Sequence, residues 1–180
     1  MKKLKVLISL LIAGAAIVLL LTAFGGEEIE ATKKPFPKFT TTDFKGNDLT
    51  NDIFGDYDVT IVNFWSNTCG SCIAEMPELE QYYREFKDEK VNLIGVAVSA
   101  GDSEEERAQA EKILREKGVT YTNLIPDIKS DFYNEFIGSI TGYPITYIVD
   151  RDGNMVGAPL VGVVANQEEK LMKRIDDIIN

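Results

Sequence analysis

The apolar positions of this chain change period several times, and each change marks a predicted element. Val6 to Phe24 is an almost unbroken apolar run, interrupted only by Ser9, Gly14 and Thr22. At about 1.5 Å per residue such a run spans roughly 30 Å, the thickness of the hydrocarbon core of a bilayer. Gly25 to Pro37 is polar with two prolines and reads as a tether, reaching at most about 40 Å when extended. Within the domain that follows, Phe39–Thr42 and Asp48-Leu49 flank the turn signal Gly46-Asn47 and predict a small hairpin. Val59–Phe64 is a β-branched apolar run without alternation, as expected of a buried central strand. The period then switches to three and four at Cys72, Ile73, Met76, Leu79, Tyr83 and Phe86, a helix with one apolar face that Pro77 should kink.

Val91–Ser99 predicts a second buried strand. Ser103 with Glu106 makes a capping box for a helix reaching about Lys117 and stopped by Gly118. Val119–Ile125 is a third short strand, and the aromatic-rich stretch Ser130–Ile137 a short helix. Thr146–Val149 turns through Arg151-Asp152-Gly153-Asn154 into a strand over Met155–Val164, and Gln167–Ile179 is a final amphipathic helix. This order predicts an α/β domain, a mixed central sheet with helices on both faces.

Composition narrows the function. About 150 residues remain beyond the membrane segment, enough for one domain with a substantial core. The first 26 residues hold three lysines and no acid, so the remainder, with 16 basic against 29 acidic residues, carries −13 of the net −10. A nucleic-acid partner is excluded, because phosphate neutralisation needs a basic patch. Lys2, Lys3 and Lys5 before the apolar run and Glu27, Glu28 and Glu30 after it place the N-terminus in the cytoplasm and the domain outside. Residues 1–26 are thus expected to be a single-pass anchor in the cell membrane, 27–37 a tether and 38–180 the domain. A cleaved secretory signal, with small residues at Ala23 and Gly25, is the alternative, and the domain is then secreted. Either way it lies where disulfides persist.

The chemistry concentrates at Thr68-Cys69-Gly70-Ser71-Cys72. These are the only two cysteines, and the chain has no histidine, so no tetrahedral metal site can be assembled. The pair sits where the strand gives way to the helix. A helix N-terminus offers unpaired N–H groups and a dipole that favour a thiolate, which is the attacking species. Cys69 is therefore the candidate nucleophile and Cys72, one turn inward, the resolving thiol. A disulfide closing so small a ring adds little stability, which argues against a mere staple. Glu75 lies one further turn along and can approach Cys72, where a partly buried carboxyl could accept its proton. A solvated helix glutamate is the plain alternative.

Residues 62–79 (Val-Asn-Phe-Trp-Ser-Asn-Thr-Cys-Gly-Ser-Cys-Ile-Ala-Glu-Met-Pro-Glu-Leu), with Gly-Tyr-Pro-Ile-Thr-Tyr-Ile-Val-Asp at 142–150, resemble the membrane-anchored thioredoxin-like proteins of the TlpA/ResA type. The resemblance implies a thioredoxin fold with an N-terminal β-hairpin and a central insertion within Gly101–Lys129. It implies that Pro144 is cis and that the backbone at Tyr143 meets the substrate. Trp65 and Thr68 join them as expected substrate-binding positions. It further implies an oxidoreductase with no cofactor beyond the Cys69–Cys72 disulfide and no metal, working as a membrane-tethered monomer on protein disulfides. Electrons would come from a membrane thiol reductase of the CcdA/DsbD type, with apocytochrome c, a methionine sulfoxide reductase or a spore-coat protein as clients. The chain departs from the pattern at Thr68, where the family usually has Trp, and at Ser71, often Pro. Asn63 stands where ordinary thioredoxins bury an Asp. A thiol peroxidase on the same fold and a docking module with a permanent disulfide are the competing classes. The first wants a Pro-x-x-x-Thr-x-x-Cys loop, which is absent.

Overall fold

Among the described residues nine strands form one mixed sheet, and its two central members explain why the longest apolar runs of the domain lack alternation. A computed structural model describes residues 33–86 and 89–180. The expected anchor, residues 1–26, lies outside them, and among the described residues no helix is long and apolar enough to cross a membrane. The strands are β1 (Lys34–Pro35), β2 (Thr40–Asp43), β3 (Asp48–Thr50), β4 (Val59–Trp65), β5 (Val91–Ala97), β6 (Thr122–Ile125), β7 (Ile145–Asp150), β8 (Asn154–Met155) and β9 (Leu160–Val161). The order across the sheet is β1-β8-β7-β4-β5-β6-β2-β3, with β9 also paired to β7. β4, β5 and β6 are parallel, while β7 runs antiparallel to β4. Among the described residues the α-helices are α1 (Gly70–Glu85), α2 (Glu104–Glu116) and α3 (Glu168–Ile179).

Every residue of β4 and β5 is buried because both faces of the sheet are covered. On one face Val59 and Ile61 pack with Leu79 and Tyr82 of α1 and Leu171 and Ile175 of α3. Trp65 and Ala97 pack on the same face with Cys72 and Met76 of α1 and Ala110 and Leu114 of α2. The other face, through Val62, Phe64, Ile94 and Val96, meets Phe36, Phe39, Phe54 and Phe132. Helical cover is thus present on both faces but unequal. Short 3-10 and π turns over Asn51–Asp56 and Phe132–Ser139 serve the second face, where the stretch 130–137 had predicted an ordinary helix.

Three expectations are corrected. The tether ends earlier than predicted: Lys34–Pro35 pairs with β8 and Phe36 is buried in the core, so residues 34–37 belong to the domain. The strand over Met155–Val164 is only β8 and β9, separated by Gly157 at φ 72° and by Pro159, which cannot donate to a ladder. The capping box is half formed, since Ser103 accepts from the Glu106 N–H while the Glu106 carboxylate accepts from Asn67. Pro77 lies inside α1, which runs from Gly70 to Glu85, as the sequence placed it. α2 and β6 lie between β5 and β7, within the region where an insertion was expected.

Gly95 is required by what lies beneath the dithiol. It pairs with Asn63 on one side and Asn123 on the other. A Cβ there would run into the Asn123 carboxamide, whose oxygen accepts from Trp65 Nε1 at 2.8 Å. Gly95→Ala is expected to cost about 2–3 kcal/mol through overpacking and the disturbed hydrogen bond, read from urea unfolding.

Candidate active site

β4 ends at Trp65, and the chain crosses Ser66, Asn67 and Thr68 before α1 begins. Asn67, buried, donates to both the backbone oxygen and the carboxylate of Glu106 at 2.8 and 2.6 Å, fastening this crossing to α2. Cys69 is the N-cap residue of α1: its Sγ accepts from the Cys72 N–H at 3.2 Å. A helix N-terminus stabilises negative charge through such donors and its dipole, so the reduced Cys69 sulfur sits where a thiolate is favoured. Cys69 and Cys72 form a disulfide with their Cα atoms 5.3 Å apart. Their exposures differ in the way the chemistry needs, since Cys69 is half-buried whereas Cys72 is 1% exposed. An incoming disulfide can reach only the first. Thr68, Gly70 and Ser71 around it are exposed, and the Ser71 hydroxyl lies 3.5 Å from Cys69 Sγ.

Tyr143-Pro144 is a cis peptide. β7 pairs Ile145 with Phe64, which sets Pro144 opposite Trp65 and beside the dithiol crossing. Tyr143 packs against the cluster that holds Cys72 and Trp65. The Pro144 carbonyl accepts from Gly162 N–H at 2.9 Å, whereas among the described residues no partner engages the Tyr143 N–H or carbonyl. Trp65 does not fit its expected substrate-binding role. It is 0% exposed with its indole N–H committed to Asn123, so it supports the dithiol from below and meets no substrate.

Glu75 is buried at 4% exposed, not the solvated glutamate of the plain alternative. Its Oε1 accepts from Asn63 Nδ2 at 3.1 Å and its Oε2 from the Val164 N–H at 2.9 Å. Burial pushes its pKa above the usual carboxylate range, the Val164 and Asn63 donors oppose this, and the charge of Glu78 adds to it. Glu80, on the same helix and equally buried, behaves oppositely. Burial pushes it up, but the hydroxyl and N–H of Thr120 and the Arg84 guanidinium outweigh that and hold it low. Glu80 is thus a paired, structural carboxylate that ties α1 to the segment before β6. Glu75, buried without a cation, is the one that carries a cost suited to proton transfer.

Asn123, Asn67, Thr146 and the Val164 N–H were not singled out from the sequence. Asn123 and Thr146 are polar residues within short strand-like stretches, the one signal by which sequence could have flagged them, whereas Asn67 sits in a polar crossing that gives no such signal. Among the described residues no group of acidic, histidine or cysteine side chains is placed to hold a metal. The main clefts, such as that lined by Thr41, Gly101, Arg107 and Pro126, do not include the dithiol. A part-exposed Cys69 sulfur ringed by exposed Thr68, Gly70 and Ser71 suits a protein-sized substrate.

The profile of the AhpC/TSA family matches residues 32–158. The chain belongs to this family. Among its relatives is the thiol:disulfide interchange protein DsbE of Haemophilus influenzae, 31% identical over 71% of this chain and 68% of the relative. Another is the thiol-disulfide oxidoreductase ResA of Bacillus thuringiensis, 26% identical over 95% of this chain and 94% of the relative. The thioredoxin domain of a thiol-disulfide oxidoreductase from Bacteroides vulgatus superposes with a TM-score of 0.64 at 24% identity, covering 83% of this chain and 98% of that one. The fold is therefore thioredoxin-like, as the motif implied.

Proposed function

We propose that this chain is a thiol-disulfide oxidoreductase that reduces disulfides of other proteins outside the cytoplasm. The observation that carries the reading is the asymmetry of the dithiol: one sulfur half-buried and capping a helix, the other buried behind it. In the reduced protein the Cys69 thiolate attacks one sulfur of a substrate disulfide, that bond breaks, and the departing substrate sulfur takes up a proton. Cys72 then passes its proton to Glu75 and attacks the Cys69 sulfur. The second substrate thiol leaves, and two electrons have moved from the dithiol to the substrate. The Tyr143 backbone, with its N–H and carbonyl unengaged, is the ledge on which an extended substrate segment pairs. Thr68, exposed beside Cys69, forms part of the rim. No cofactor beyond the disulfide enters this cycle.

Residues 1–26 hold the domain at the outer face of the membrane, and a membrane thiol reductase of the CcdA/DsbD type returns the pair to the dithiol. The protein works as a monomer. A peroxidase reading finds no support, since the positions three and seven residues before Cys69 hold Ser66 and Val62 where that chemistry wants Thr and Pro. The full-length protein in detergent is expected to accelerate insulin precipitation by dithiothreitol and to leave hydrogen peroxide unconsumed. Peroxide turnover without insulin reduction would reverse the assignment.

A further inference from the structure

Asn63 occupies the middle of β4 directly beneath α1, with both hydrogens of its carboxamide committed. One goes to Glu75 Oε1 at 3.1 Å and the other to Thr146 Oγ1 at 3.0 Å. Thr146 is 0% exposed and lies two residues beyond Pro144 on β7, so three elements meet at this amide: the strand that delivers the dithiol, the helix that carries it and the strand that carries the substrate ledge. The amide has only one useful orientation. Turned over, it would set its oxygen against the Glu75 carboxylate, so the Glu75 contact selects the orientation that donates, and the Thr146 hydroxyl, accepting the second hydrogen, holds the amide in place.

We propose that Asn63 is a positioning residue for the resolving step: held by Thr146, its N–H fixes the Glu75 carboxyl and favours the ionised form that receives the Cys72 proton. This rests on the reading of Glu75 as proton acceptor and adds to it the group that tunes it. Asn63 supplies a neutral donor where a second carboxylate would compete for the same proton. The groups facing Glu75 are few. Its own helix contributes Cys72, neutral as the disulfide, and Glu78; the segment before β6 contributes Tyr121, whose hydroxyl is pushed up by burial and by Glu75 itself; the turn before α3 contributes the Val164 N–H. Neither strand brings a charge, so the Asn63 and Val164 donors are what oppose burial.

The test follows the Glu75 side-chain carboxyl by 13C NMR against pH in the oxidised full-length protein, and the pH dependence of the resolving step in the reduced one. Asn63→Ala is expected to shift the Glu75 titration upward by about one to two pH units, the worth of a hydrogen bond to a charged group, and the rising limb of the rate profile with it. Thr146→Val, which keeps shape and removes the acceptor, is expected to shift both in the same direction by less. Should Asn63→Ala fail to fold, Asn63→Asp provides the near-isosteric variant. Two carboxyls sharing one site are expected to titrate in two separated steps. Titration and rate limb unmoved in Thr146→Val and in a folded Asn63 variant would overturn the role of Asn63. A limb that survives Glu75→Gln would instead remove Glu75 as acceptor, so the two failures are distinguishable.

Discussion

Cys69→Ser reduces insulin no faster than dithiothreitol alone, while Cys72→Ser completes the first exchange and stops as a mixed disulfide. The two sulfurs are not equivalent, and the structure gives the reason. Cys69 Sγ caps α1 and is only half-buried, so it alone sits where a thiolate is favoured and can be reached. Cys72 is 1% exposed and can attack only a sulfur already attached to its neighbour. Single-turnover mixing with a small aromatic disulfide separates the steps. The parent releases both aromatic thiols; Cys72→Ser releases one and retains the other covalently; Cys69→Ser releases none at an appreciable rate. Equal behaviour of the two variants would contradict the assignment.

Glu75→Gln slows the resolving step by about 100-fold at neutral pH, within the range that a positioned general base contributes. The sign with pH follows from burial. Because the Glu75 carboxyl is pushed above its ordinary range, its proton-accepting form accumulates only at higher pH than a solvated carboxylate's, and the resolving rate of the parent rises with pH through that titration. In the Gln variant this limb vanishes and the step awaits spontaneous loss of the Cys72 proton. Stability moves the other way. A carboxyl with a raised folded-state pKa favours the fold most at acid pH, below its unfolded value, and loses that advantage as pH rises through the folded one. Glu75→Gln is therefore expected to be more stable than the parent at neutral pH, the difference shrinking toward acid, as followed by urea unfolding. A variant that gains stability and loses the resolving step marks a residue retained for chemistry.

Much of this site could be read before the fold was known, because its parts depend on local sequence. The apolar run Val59–Phe64 followed by a change of period placed Cys69 and Cys72 at a strand-to-helix junction, and the helix begins at Gly70. The spacing of Glu75 let it approach Cys72, and its burial decides between the partly buried and the solvated readings that the sequence left open. The motif around Pro144 implied its cis bond, which is present. What escaped depends on contacts between distant segments. Trp65 was expected among the substrate-binding positions, yet strand alternation turns it inward with Val59, Ile61 and Asn63 toward the helices. The donors to Glu75 come from Asn63, twelve residues away, and Val164, eighty-nine away, and no local pattern announces them. Likewise Phe36 read as tether because two prolines flank it, while its ring fills the aromatic cluster with Phe39 and Phe54. Gly157 and Pro159 lie within the predicted strand 155–164 and together split it into β8 and β9.

The most direct measurement is capture of partners in the cell by the full-length Cys72→Ser protein, with acid quenching and mass spectrometry of the cross-linked peptides. Mixed disulfides joining Cys69 to cysteines of extracytoplasmic proteins, absent when Cys69 is also replaced by serine, are the predicted result. Capture of no partner, or equal capture by Cys69→Ser through Cys72, would contradict the account.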